Sequence, residues 1–216
     1  MRSFLYVPAP AHPAVAFESD HFAGSTLDPR WTFVDLLGDS SIAVANSQAQ
    51  ITVPQPPNHD VTSTSIDAPH IRQAMQDIDF EVTIKWDNVV RGSFPSQGFL
   101  VYNSAGTWLD FKVFPAGGGI THFSLPTTGG VPGSDIRTVL SVAQVPSTHW
   151  WRITRTGNDW LWEFSPDGTT FTPLAGQSFT HAIVGNEIVL YAGSFDNTGG
   201  HTALIDYISS SDNPIT

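Results

Sequence analysis

From Phe17 onward the chain alternates apolar and polar positions with a period of two. The clearest stretch is Asp79–Trp86, where Phe80, Val82, Ile84 and Trp86 fall on one side and Asp79, Glu81, Thr83 and Lys85 on the other. That is the pattern of a strand with one packed face. The same rhythm predicts strands over Phe99–Asn103, Trp108–Phe114, Ile120–Leu125, Ile136–Val142, Trp150–Arg155, Trp160–Ser165, Glu187–Ala192 and Thr202–Ile208. Turn clusters punctuate them, among them Gly117-Gly118-Gly119, Gly129-Gly130, Thr156-Gly157-Asn158 and Pro166-Asp167-Gly168, which supply positive φ and side-chain-to-backbone bonds. No segment sustains a 3.6-residue apolar period long enough for a core helix. Ala68–Met75 reads either as one helical turn or as an extended run after Pro69. Short strands at close spacing with Gly-rich turns predict an all-β fold, an antiparallel two-sheet β-sandwich or jelly roll. No repeat at solenoid or propeller period interrupts this reading.

Composition narrows the possibilities. A chain of 216 residues is one large domain, here residues 17–216 after a Pro/Ala-rich lead-in at 1–16. Charged residues make up 13% and hydrophobic residues 40%, the opposite of a disordered composition. The net charge is −11, and only two residues are lysines, Lys85 and Lys112. So acidic a chain is a poor partner for nucleic acid or an anionic membrane surface, and no apolar run approaches a membrane span. There is no cysteine, which removes disulfides, thiol nucleophiles and zinc–thiolate sites. At the start, Pro8 cuts the apolar run after Arg2, so no signal peptide is expected there.

Several stretches carry a family likeness. Phe22-Ala23-Gly24-Ser25-Thr26-Leu27-Asp28-Pro29-Arg30-Trp31, Asn58-His59-Asp60, Ala68-Pro69-His70-Ile71-Arg72-Gln73 and Asp79-Phe80-Glu81-Val82 come first. Gln97-Gly98-Phe99-Leu100-Val101-Tyr102, Trp151-Arg152-Ile153-Thr154-Arg155-Thr156-Gly157, Phe164-Ser165-Pro166-Asp167-Gly168-Thr169, Val189-Leu190-Tyr191-Ala192-Gly193 and Ile205-Asp206-Tyr207 follow. Together, over about Phe17–Ser209, the chain resembles the concanavalin A-like lectin and glucanase superfamily, in particular bacterial laminin-G-like modules attached to glycoside hydrolases. One departure is Thr62, where the resemblance leads one to expect tryptophan. The likeness implies a concanavalin A-like jelly roll, a glycan as ligand and an extracellular or cell-surface setting. Fold alone does not separate binding from catalysis, because the superfamily holds both.

Strand alternation sorts the candidate chemistry. If the strands are neighbours, Glu81, Lys85, Tyr102, Trp108, Asp110, Lys112 and His122 share one face, with His70 and Arg72 turned the same way. In concanavalin A-like proteins that concave face binds sugars. Carboxylates and guanidinium groups bond vicinal hydroxyls, and an aromatic ring covers the C–H face of a pyranose. The alternative is a solvated face with cross-strand ion pairs. A glycoside hydrolase needs two facing carboxylates; the chain has only four glutamates, and Glu81 with Asp110 is the defensible pair. A lyase needs a carboxylate neutraliser with a base or acid, for which Arg72, Gln97, Tyr102 and His122 are of the right types. His59, in a Pro-rich loop, either anchors that loop or stands at the groove mouth. A third class is a structural or adhesive surface module. The resemblance also implies one structural Ca²⁺, held by Asp206 with Glu18 and Asp20; no organic cofactor is expected. Trp31, Trp86 and Trp151 read as core, whereas Trp160 and Trp162 with Trp150 form either a polysaccharide platform or a sheet interface.

Overall fold

The structure, a computed structural model, describes residues 14–92, 94–195 and 199–215. Residues 1–13 of the lead-in lie outside the described residues, and Ala16 and Phe17 are already core. Fifteen strands make the fold: β1 (Thr32–Val34), β2 (Ser41–Ala45), β3 (Gln48–Val53), β4 (His70–Ala74), β5 (Phe80–Trp86), β6 (Pro95–Asn103), β7 (Thr107–Ala116), β8 (Gly119–Thr128), β9 (Val131–Pro132), β10 (Ile136–Ser141), β11 (His149–Thr156), β12 (Asp159–Ser165), β13 (Thr172–Thr180), β14 (Glu187–Ser194) and β15 (His201–Ser210). Among the described residues the one helical element is a 3₁₀ turn at Val142–Gln144. The run after Pro69 is extended, as β4.

Two antiparallel sheets pack as a sandwich. One has the order β1-β4-β14-β6-β7-β8-β10, with β9 paired to β8; the other runs β13-β12-β11-β5-β15-β3-β2. Between them lies an aromatic spine. Trp86 stands 5.0 Å from Trp151, Trp151 5.1 Å from Trp162, and Phe111 5.6 Å from Trp162 and 5.9 Å from Trp160. Large rings tilted or edge-on to one another add about 0.5–1.5 kcal/mol per pair beyond their burial. Trp160 and Trp162 therefore fill the sheet interface. Trp150 points the other way, out of the seven-stranded sheet, because it precedes the inward Trp151 on β11.

This topology separates residues that the sequence grouped. The strand β5 pairs with β11 and β15 in the seven-stranded sheet, whereas β6, β7 and β8 belong to the other sheet. The inner face of β5 (Phe80, Val82, Ile84 and Trp86) and the inner face of β7 (Leu109, Phe111 and Val113) meet in one core. Glu81 and Lys85 thus lie across the whole sandwich from Trp108, Asp110 and Lys112.

The eight-stranded sheet carries a third layer. Residues 59–68 double back as a small hairpin, with a Val61–Ile66 bridge closed by Thr62 accepting and donating around Ser65. Val61, Ile66 and Ala68 pack onto Leu100, Trp108, Val189 and Tyr191, a second apolar cluster on the outer face of that sheet. Strands covered on both faces read as near-continuous apolar runs. That explains why Gly98-Phe99-Leu100-Val101 and Ile188-Val189-Leu190-Tyr191-Ala192 do not alternate with polar residues.

Candidate functional site

The outer face of the eight-stranded sheet is fixed by its register. Tyr102 pairs with Trp108 and Glu187, Leu100 with Asp110 and Val189, and Gly98 with Lys112 and Tyr191. His70 and Arg72 on β4 face Tyr191 and Val189. His70, Arg72, Tyr102, Trp108, Asp110 and Lys112 therefore share this face as expected. The hairpin crosses the middle of it and leaves a hollow on each side.

The first hollow, about 390 Å³, is bounded by Arg72, Glu187, Tyr102 and Trp108, with His70, Val189 and the hairpin residues Thr64 and Ile66. The Arg72 guanidinium is half-exposed and pairs with Glu187 at 3.3 Å. The Tyr102 and Trp108 rings sit 6.3 Å apart at a 30° tilt. Trp108 is buried, and its indole Nε1 has no hydrogen-bond partner. His70 Nδ1 donates to the Ala68 carbonyl at 2.8 Å, and burial lowers the pKa of the ring.

Beneath the hairpin lies a buried polar network. The Tyr191 hydroxyl donates to Asp110 Oδ1 at 2.9 Å. Lys112 Nζ donates to the Val61 carbonyl at 2.8 Å and stands 3.6 Å from both Asp110 and Asp60. Burial pushes the Asp110 carboxyl up to about 7, against the opposing pull of Lys112 and the Tyr191 hydroxyl. Burial likewise raises Asp60, with Lys112 opposing. An ammonium between two carboxyl groups that resist ionisation fits the cost of burying charge. Asp110 has no exposed surface, so it braces Lys112 and the hairpin rather than meeting a ligand.

The second hollow, about 260 Å³, opens on the far side of the hairpin. It is lined by Asp60, Lys112, Ser96, Arg137 and the rings of Phe94, Phe114, Phe123 and Phe195.

Four expected positions fall elsewhere. His122 is opposite Val113 in the β7–β8 register, so it faces the core, 5.2 Å from Trp162 and 5.5 Å from Phe164. Burial drives its pKa down to about 3. Gln97 also points inward, and its Nε2 donates to the Asn88 carbonyl at 3.3 Å. Glu81 and Lys85 lie on the outer face of the other sheet in an ion-pair ladder. Lys85 bonds Asp206 at 2.8 Å and stands over the Trp150 ring, and Arg152 bonds Glu163 at 2.6 Å with Glu81 at 4.0 Å. The Glu81–Asp110 dyad is thereby corrected: the two carboxyls are on opposite outer faces. The lyase set is split in the same way, since Gln97 and His122 face the core.

His59 is wholly buried as the hairpin's anchor. Its ring nitrogens meet the Pro57 carbonyl at 2.8 Å and Asp39 at 2.7 Å, and its backbone pairs with Ser194. Neither nitrogen is left for a ligand. The expected calcium ligands have other partners too. Asp20 accepts from the Phe22 amide and the Trp31 indole, Glu18 accepts from Asn213, and Asp206 holds Lys85. Among the described residues no three His, Asp or Glu side chains gather as a metal-binding group.

Sequence reasoning missed Glu187, Asp60, Ser96, Phe94, Phe195 and Arg137. Glu187 had a signal, since Glu187, Val189 and Tyr191 alternate with the core residues Ile188, Leu190 and Ala192. In the second hollow only Lys112 was a candidate, because it joins six separate chain segments.

No known family profile matches the chain, and no curated protein matches it in sequence. Solved structures do match its fold. A functionally unknown protein from Saccharomyces cerevisiae superposes with TM-score 0.63 at 11% identity, over 87% of this chain and 98% of that one. A xylan β-1,4-xylosidase from Bacillus halodurans C-125 gives TM-score 0.67 at 14% identity, over 97% of this chain and 41% of the enzyme. The CBM2 module of the evolved Dit protein of Lactobacillus casei BL23 phage J-1 gives 0.62 at 10% identity, over 90% and 95%. This chain thus spans well under half of the xylosidase. These likenesses show the fold, an antiparallel two-sheet β-sandwich that this chain shares with those proteins.

Proposed function

We propose that this chain is a carbohydrate-binding β-sandwich module of the concanavalin A-like type, taking a polysaccharide segment in the hollow of Arg72, Glu187, Tyr102 and Trp108. The observation that carries the reading is the pairing of a half-exposed guanidinium–carboxylate couple with an aromatic pair in one open hollow. Arg72 supplies several N–H donors and Glu187 supplies acceptors, the combination that two adjacent hydroxyls require. Tyr102, partly exposed beside the buried Trp108, offers its ring to the C–H face of a sugar. That a xylan β-1,4-xylosidase and a CBM2 module are among the structural neighbours supports this reading.

Recognition is favoured over hydrolysis by the lining. Among the described residues each hollow is lined by one carboxylate, Glu187 or Asp60, whereas hydrolysis employs two flanking the scissile bond. The test is calorimetric titration with xylo-, laminari- and arabino-oligosaccharides. One series should bind, and Arg72→Ala or Tyr102→Ala should weaken it about tenfold or more, the equivalent of about 1.4 kcal/mol. Flat titrations across the panel, or undiminished binding by both folded variants, would remove the proposal.

A further inference from the structure

The geometry points to a second binding site on the same face: the hollow on the far side of the hairpin takes a single, uncharged terminal sugar ring, end-on. This inference rests on the carbohydrate reading above and adds to it a distinct site and a ligand class. Three independent features converge there.

The first is a wall no core would leave open. Phe94 and Phe195 are 41% and 60% exposed, yet they are held in an edge-on pair 6.0 Å apart by a Phe195 amide to Phe94 carbonyl bond of 3.0 Å. Phe94 does this from a left-handed backbone, φ 51°, a conformation that bulky residues rarely adopt without a compensating role. The second is a set of polar ends with unused capacity. Ser96 is 2% exposed and its Oγ has no partner. Asp60 and Lys112 stand 3.6 Å apart, too far for a hydrogen bond to each other but placed so that each can reach one of two vicinal hydroxyls. The third is charge. Lys112 is offset by Asp60 at 3.6 Å, and Arg137 by Asp135 at 2.6 Å. A uronate would find no uncompensated cation there, and a cationic ligand would meet Lys112 and Arg137 already stacked on Phe123. What remains is a neutral ring with an apolar face and adjacent hydroxyls.

Size sets the end-on mode. A volume of about 260 Å³ is below the roughly 300–1,000 Å³ of sites for drug-sized ligands, so one ring fits and a chain does not. The hairpin separates this hollow from the one containing Arg72, and the two sites should act independently.

The experiment is saturation-transfer NMR on the full chain with methyl pyranosides of xylose, arabinose, galactose, glucose and mannose, and with methyl glucuronoside. At least one neutral glycoside should receive saturation. Measured in the Arg72→Ala background, which removes the first hollow's contribution, the signal should fall at least fivefold on adding either Phe195→Ala or Asp60→Asn. Absence of transfer to every neutral glycoside, transfer to the glucuronoside alone, or full transfer in both Phe195→Ala and Asp60→Asn would overturn the inference. Oligosaccharide titration separates this site from the first. If oligosaccharides bind through Arg72 while no glycoside binds, the terminal-sugar site alone fails. If a neutral glycoside binds through Phe195 and Asp60 while oligosaccharides do not bind, only the Arg72 hollow fails.

Discussion

At Gly98 the backbone of β6 passes directly beneath the Tyr191 ring. A Cβ there would lie 2.3–2.5 Å from Tyr191 Cε1, Cζ and the hydroxyl oxygen, so Gly98→Ala must push the ring aside and break its bond to Asp110. Overpacking costs about 1–3 kcal/mol and a hydrogen bond to a buried carboxyl adds to that. We expect Gly98→Ala to lower stability by about 2–4 kcal/mol in urea unfolding, with the same glycan affinity per folded molecule. A neutral result would mean that Tyr191 and Asp110 are not packed as described. Asp110 itself was legible as a polar position on an outer face, but not as a buried one. Its alternation with Leu109 and Phe111 is the same whether the outer face meets water or a hairpin.

Whole elements show where alternation is sufficient and where it fails. The pattern of β5 is strict, and the structure keeps it residue for residue. In β8 both sides mix polar and apolar residues, Ile120, His122 and Ser124 against Thr121, Phe123 and Leu125. Only the pairing of Val113 with His122 decides the phase, and pairing is not visible in a single strand. Sheet membership was equally hidden, since β5 and β6 follow each other in sequence yet join different sheets. The short strands β1, β2 and β3 and the bulged β13 had no sustained period, so their place at or beside sheet edges was not legible. The hairpin at 59–68 makes its own prediction. His59→Ala removes two side-chain bonds from its base, and the loss is expected to cost about 1–3 kcal/mol. Hydrogen exchange should then quicken at the Asp67 and Ala68 amides, which donate to the Asp60 carbonyl, while β5 and β11 amides keep their protection. Uniform loss of protection would show that the hairpin is not a separable layer.

Across the whole molecule, buried titratable groups set how stability depends on pH. Burial lowers His122 to about 3 and His149 and His201 to about 4; His149 also bonds the Pro146 and Ser147 carbonyls. Unfolded imidazoles titrate near 6.5, so below that pH the unfolded chain binds protons that the fold refuses. Their contribution is present above about 6.5 and is lost as pH falls toward 4. Asp110 acts in the opposite sense. The fold holds its proton up to about 7 whereas the unfolded chain releases it above about 3.9, so its contribution declines as pH rises through that window. Three histidines outweigh Asp110 and Asp60, and we expect the melting temperature to rise from pH 4.5 to 6.5. Asp110→Asn should steepen that rise and gain most above pH 7, where the native carboxyl is forced to ionise. A flat profile, or a variant that gains at low pH instead, would contradict the burial of these groups.

The central claim is that the hollow beside the hairpin, not the ion-pair ladder on the opposite sheet, meets the glycan. Trp108 and Trp150 report on the two faces, so the most direct measurement follows the seven indole N–H signals in ¹H–¹⁵N spectra as xylo-, laminari- or arabino-oligosaccharide is added. The account predicts a saturable shift of the Trp108 signal with the Trp150 signal unmoved, abolished by Arg72→Ala. A shift at Trp150 with Trp108 unmoved would place recognition on the other sheet and contradict it.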